Sequence, residues 1–181
     1  MTKALKNIEQ RELDDAIVVA LGSSLAGEFS SRQVLLEAAL NAFPTCGLAV
    51  RKVSRWWSSA AWPDPSHPGY LNGVAQIETA LAPSEVMSAL LAIEGRFGRR
   101  RDVTNGPRTL DLDLVAYGRT CLEQPGLVLP HPRAADRRFV MGPLAEIAPN
   151  WRHPISGKTA AVHAGEAAVG RDAAPLEVPA A

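Results

Sequence analysis

The chain has 181 residues, 46% of them hydrophobic, enough to bury the core of one domain and too few for two fused enzymes. Lys plus Arg and Asp plus Glu both number 19, so the formal net charge is zero and no global field draws the molecule to nucleic acid or an anionic membrane. Cys46 and Cys121 lack CxxC spacing and read as free thiols, residues 1–15 carry no signal-peptide core and no apolar run is bilayer-long, so a cytoplasmic protein is expected.

Residues 1–15 mix charges without periodicity and read as a loose extension. Ile17–Leu21 is a short β-branched run that predicts a buried strand. It ends in Gly22-Ser23-Ser24, a plain turn into a helix, because no glycine-rich phosphate-loop spacing is present. Ser30 or Ser31 caps a helix to about Ala42, with Leu36, Leu40 and Phe43 on one stripe. Leu48–Trp57 predicts a strand, followed over 58–69 by a Pro- and Gly-rich loop of the length that usually carries function. Trp62, in its midst, is expected to pack over the protein's own surface or a flat ligand. Tyr70–Thr79 predicts a strand that turns Tyr70, Asn72, Val74 and Gln76 to one side.

Pro83-Ser84 opens a second helix in which Val86, Met87, Leu90, Leu91 and Phe97 keep helical spacing. Further on, His131 stands between two prolines on a stiffened backbone, and Arg133, Arg137 and Arg138 follow on a helical turn. Phe139–Pro149 is expected to return as a strand and turn. From Ser156 on, alanine and glycine replace large apolar groups, so 157–181 reads as a frayed tail with at most one short helix. The order strand, helix, strand, strand, helix, strand is that of an α+β, ferredoxin-like βαββαβ core. Its mainly antiparallel sheet carries helices on one face, leaves the other face for substrates and has C-terminal additions. The expected domain is 16–155, with 1–15 as an N-terminal extension and 156–181 as an Ala-rich tail.

The most informative stretch is Asn105-Gly106-Pro107-Arg108-Thr109-Leu110-Asp111-Leu112-Asp113-Leu114. Strand alternation sets Thr109, Asp111 and Asp113 on one face and the leucines on the other. Residues i and i+2 of a strand lie roughly 6.5–7 Å apart, so the two carboxylates repel unless a cation sits between or beside them. Hard oxygen ligands without nearby His or Cys suit Mg²⁺, which usually completes its shell with water and phosphate. Arg96, Arg99, Arg100, Arg101 and Arg108 cluster just upstream, and guanidinium forks match phosphate oxygens. Gly98 and Gly106 bracket the arginine segment as a flap would require. Either feature alone is more often a solvated face; together they favour a phosphate site.

This motif, preceded by Ile93-Glu94 and Gly98-Arg99-Arg100-Arg101 and followed by Leu129-Pro130-His131-Pro132-Arg133 and Arg137-Arg138-Phe139-Val140, closely resembles the 6-hydroxymethyl-7,8-dihydropterin pyrophosphokinases of folate biosynthesis. The resemblance runs from about Ile17 to Pro149. It implies transfer of pyrophosphate from ATP to the pterin hydroxymethyl group, releasing AMP, with two Mg²⁺ ions on Asp111 and Asp113. Arg99 and Arg108 join the two aspartates as catalytic residues. ATP is expected at Glu94, Arg99, Arg101, Arg108, Leu114, His131 and Arg137. The pterin is expected at Ser59, Trp62, Tyr70, Asn72, Asp111 and Phe139, with Tyr70 and Phe139 sandwiching the ring. The chain departs from the family pattern at Ser24, Ala60 and Pro132. The implied partners are ATP and the pterin, with neither nucleic acid nor membrane and a monomeric state. The rival readings are a non-catalytic ferredoxin-like ligand-binding module and a nucleic-acid-binding sheet; the latter would need basic and aromatic residues where this chain puts acids.

Overall fold

The computed structural model describes residues 10–98 and 108–177. Strand β1 (Ile17–Ser23) is buried along its whole length because it is the middle of the sheet, paired antiparallel with β4 (Tyr70–Glu78) on one side and β5 (Asp111–Tyr117) on the other. Beyond β4 lie β2 (Ala49–Val53) and β3 (Trp57–Ser59), both antiparallel to it. Helix α1 (Arg32–Ala42) connects β1 to β2, and α2 (Pro83–Arg96) connects β4 to β5, completing the ferredoxin-like βαββαβ order. The single strand expected over Leu48–Trp57 is two strands. Ser54 causes the break: its hydroxyl, rather than its carbonyl, accepts the Val74 N–H at 3.0 Å, and the Arg55 N–H turns away to the Glu146 carboxylate.

Both helices lie on one face. Ser31 caps α1, its hydroxyl accepting the Val34 N–H at 3.1 Å, and the Glu85 carboxylate closes the start of α2 on the Ala82 N–H at 2.7 Å. Their apolar stripes, with Leu35, Leu36, Phe43, Leu90 and Ile93, bury Val19, Leu21, Leu71, Leu110, Leu112 and Leu114 of the sheet. The hairpin of β6 (Leu122–Gln124) and β7 (Leu127–Leu129) adds Leu127 and Leu129 to this core.

The opposite face is not left open throughout. Residues 139–149, expected as a strand and turn, form helix α3 (Arg138–Ile147), whose Val140, Met141 and Leu144 fall at helical spacing and pack on Val18, Ala20, Val74, Val115 and Ala116. Of the expected frayed tail, the described residues, up to 177, are folded too. Helix α4 (Ala160–Glu166) packs on α3, and β8 (Ala174–Pro175) adds to the edge of the sheet at β3. Ala160, Ala167 and Ala173 are buried because small side chains let the backbone approach closely without a bulky core. In the N-terminal stretch read as loose, residues 10–14 are helical and Leu13 packs against α3's cluster. Among the described residues no helix is long and apolar enough to cross a membrane.

The C-terminal unit contains a buried pair, His153 and His163, with ring centroids 5.3 Å apart and His163 Nε2 2.9 Å from Ser156 Oγ. Burial pushes both imidazoles below their usual range. His163 and Arg119 add to this at His153; at His163, Lys158 adds to it while Glu166 and a backbone contact at Ala135 oppose it. A depressed folded value means that the unfolded chain takes up protons first. The contribution is therefore intact above the unfolded value of about 6.5 and is lost as pH falls through the folded values. The melting temperature is expected to fall on acidification across that window, and to fall less in a His153→Phe/His163→Phe variant. Parallel pH profiles for the two proteins would contradict this origin.

Candidate active site

The open part of the second face is a cleft built on strand register. Gly22 in β1 stands opposite Asn72 in β4 and Asp111 in β5, and two residues along, Ala20 stands opposite Val74 and Asp113. The two smallest side chains thus occupy the middle strand while polar groups rise on both flanks, which makes a trough. A Cβ placed on Gly22 would lie 3.5 Å from Asn72 Oδ1, 3.7 Å from the Tyr70 ring and 3.9 Å from Asp111 Cβ, so these three converge on one spot. Ser59, Ala60, Trp62, Tyr70, Phe139 and Val140 complete the walls, and Arg108 and Arg137 line the end near the aspartates.

The alternation read from Thr109–Leu114 holds. Leu110, Leu112 and Leu114 are in the core, whereas Asp111 and Asp113 face the cleft with side chains 24% and 34% exposed. Each carboxylate has a guanidinium beside it: Arg108 Nη1 donates to Asp111 Oδ1 at 2.9 Å, and Arg137 Nη1 lies 3.9 Å from Asp113 Oδ2. Burial by itself would depress the Arg108 guanidinium, but Asp111, with Tyr70 and Asp113, outweighs it and raises the group. At Arg137 burial prevails, with Arg133 and Arg108 adding to it against Asp113 and Asp111, and the group is lowered. The Arg137 guanidinium also lies 5.6 Å from the centroid of the Phe139 ring. Ser24 fixes the backbone of Arg108, its hydroxyl accepting the Arg108 N–H at 2.8 Å.

At the other end, Asn72 is 5% exposed and its Nδ2 donates to Ser59 Oγ at 3.0 Å, which turns its carbonyl oxygen towards the floor. Trp62 is 51% exposed at the rim. The cleft therefore has an aromatic, amide-bearing half and a half in which two carboxylates and two guanidiniums alternate. The first half suits a planar heterocycle and the second a polyphosphate with divalent cations. Among the described residues no group of three His, Cys, Asp or Glu closes a metal cage. A cation on Asp111 and Asp113 would take its remaining ligands from water or substrate.

Three residues expected at the nucleotide, Glu94, Leu114 and His131, are not among those that line this cleft. Glu94 is 1% exposed under α2, and one of its oxygens accepts the Leu112 N–H at 2.7 Å, so it ties α2 to β5 and does not line the cleft. The Leu114 side chain, 3% exposed, belongs to the leucine core because it alternates with the aspartates. His131 is half-buried beyond the cleft lining, its N–H donating to Val115 O at 2.8 Å. Burial lowers its imidazole, Arg137 and Arg133 add to this, and Asp113 and Asp111 oppose it. Arg99 and Arg101 lie outside the described residues. Sequence reading overlooked the floor residues Ala20 and Gly22, although two small side chains alternating with Val19 and Leu21 were a usable signal. It also overlooked Arg32, which donates to Gly69 O and anchors the end of the 60–69 loop.

Comparison with known proteins agrees with this geometry. A family model described as 7,8-dihydro-6-hydroxymethylpterin-pyrophosphokinase matches residues 18–149, a span that contains every residue lining the cleft. A 2-amino-4-hydroxy-6-hydroxymethyldihydropteridine pyrophosphokinase of Synechocystis is 46% identical over 143 residues, covering 78% of this chain and 71% of that protein. The enzyme of the same name from Pseudomonas aeruginosa is 42% identical over 141 residues, covering 76% and 83%. The crystal structure of an HPPK-DHPS in complex with substrates superposes with a TM-score of 0.61 at 9% identity, over 83% of this chain and 43% of that one, a likeness of fold. With a match that runs from β1 through β5 and both connecting helices and takes in the whole cleft, the chain belongs to the 7,8-dihydro-6-hydroxymethylpterin-pyrophosphokinase family.

Proposed function

We propose that the cleft transfers the terminal pyrophosphoryl group of ATP to the hydroxymethyl oxygen of 6-hydroxymethyl-7,8-dihydropterin, in folate biosynthesis. The observation that carries this reading is the placement of Asp111 and Asp113 across the Gly22–Ala20 floor from Asn72. The pterin enters the aromatic half, where Tyr70 and Phe139 take the faces of the ring and the Asn72 amide, set by Ser59, selects its polar edge. Arg108 and Arg137 hold the polyphosphate, leaving the two carboxylates to divalent cations. The fit of Mg²⁺ rests on the donor set, two hard carboxylate oxygens on one face with room for phosphate and water. When bound, two such ions neutralise charge on the phosphates undergoing transfer. Arg99 and Arg101 are assigned to the phosphates from sequence alone.

The hydroxymethyl oxygen forms a bond to the β-phosphorus, the bond from that phosphorus to the α–β bridging oxygen breaks, AMP departs with that oxygen, and the hydroxyl proton passes to water. The residues of this chain contribute mainly by alignment and by matching the charge of the transferring group. The test is AMP formation from ATP. It is expected when the dihydropterin and Mg²⁺ are both present, and to stop when EDTA is added or the pterin withheld. Binding of the pterin without AMP production would instead favour a non-catalytic ligand-binding module.

A further inference from the structure

We infer that the segment Ala168–Leu176, outside the family-matched span, is a brace that sets the width of the pterin half of the cleft, with Asp172 and Gly170 as its positioning residues. The inference rests on the function proposed above. Three lining residues are gripped by this one segment. The Asp172 carboxylate accepts the Ala60 N–H at 2.5 Å, at the base of the loop that carries Trp62. Gly170, with φ +69°, comes so close beneath Phe139 that a Cβ would sit 2.4 Å from the ring, so glycine's absent side chain sets how far that wall can recede. Val169 bridges to Arg137, and its carbonyl accepts the Arg138 N–H at 2.9 Å.

The segment is itself tied at both ends. The Ala168 N–H donates to Asp136 Oδ1 at 3.0 Å, and the Leu176 N–H to Trp56 O at 2.8 Å, where β8 pairs with β3. Arg138 Nε additionally donates to Ala173 O at 3.3 Å. The Phe139 wall and the Ser59–Trp62 wall come from elements far apart in sequence, and this strap runs behind both. It touches neither Asp111 nor Arg108, and its one link to the polyphosphate half is the main-chain bridge from Val169 to Arg137, so Asp172 and Gly170 act on the heterocycle half.

Asp172 and Ala60 are both exposed, so removing their bond leaves the core intact. In the full-length protein, Asp172→Ala is expected to raise the KM for the dihydropterin by about three- to tenfold, with the KM for ATP and the melting temperature unchanged. Asp172→Asn keeps an oxygen that can accept the Ala60 N–H and should restore most of the pterin KM. Gly170→Ala, which pushes on the Phe139 ring, should raise the same KM further. Unchanged pterin KM in both Asp172→Ala and Gly170→Ala would overturn the brace, as would equal rises for ATP and pterin. Absence of AMP from the wild-type protein would instead remove the underlying function.

Discussion

Asp113→Asn is expected to reduce the rate of AMP formation by about 10²- to 10⁴-fold while leaving dihydropterin binding largely in place. The substitution keeps shape and removes charge at a side chain that is 34% exposed, so the cost falls on chemistry and not on folding. It removes one of the two carboxylates proposed to hold divalent cations, and an amide oxygen is a poor replacement for a carboxylate at such an ion. It also removes the counter-charge beside Arg137, so ATP binding should weaken less than turnover. Single-turnover AMP formation reads this directly. A variant as fast as the wild type would remove Asp113 from the mechanism.

Gly22→Val is expected to weaken dihydropterin binding by about 10²-fold with ATP binding within a few-fold of wild type. A Cβ at this position meets only ordinary contacts, so the strand tolerates it. The two further methyls, however, must stand between Asn72, Tyr70 and Asp111, in the space the heterocycle requires. Because β1 is hydrogen-bonded on both sides, it cannot shift to make room. Gly22→Ala should fall between the two. Calorimetric titration of the dihydropterin, with circular dichroism as a check on folding, decides the matter; an undiminished affinity would place the pterin elsewhere.

What could be read in advance was whatever a local period determines. Alternation over Thr109–Leu114 put the aspartates and leucines on their correct faces, because a strand's side-chain direction depends on nothing further away. The ferredoxin-like order of elements was legible for the same reason. Residues 139–149 were misread because Val140, Met141 and Leu144 serve either period until the sheet face they cover is known. The tail was underrated because its alanines stabilise by close approach, which composition does not reveal. Glu94 stands near the arginine segment in sequence, yet α2 turns it inward onto the Leu112 N–H. The alternation of Ala20 and Gly22 with Val19 and Leu21 hints at a floor, and the register of three strands shows what stands on either side of it.

The sharing of β5 between leucines on one side and acids on the other makes its frame indivisible. Inserting a single residue between Leu110 and Asp111 would swap the sides of everything downstream, exposing Leu112 and Leu114 to water and driving carboxylates into hydrocarbon. Such a chain should be insoluble as well as inert. Selection for a working enzyme and selection against misfolding therefore police the same few positions.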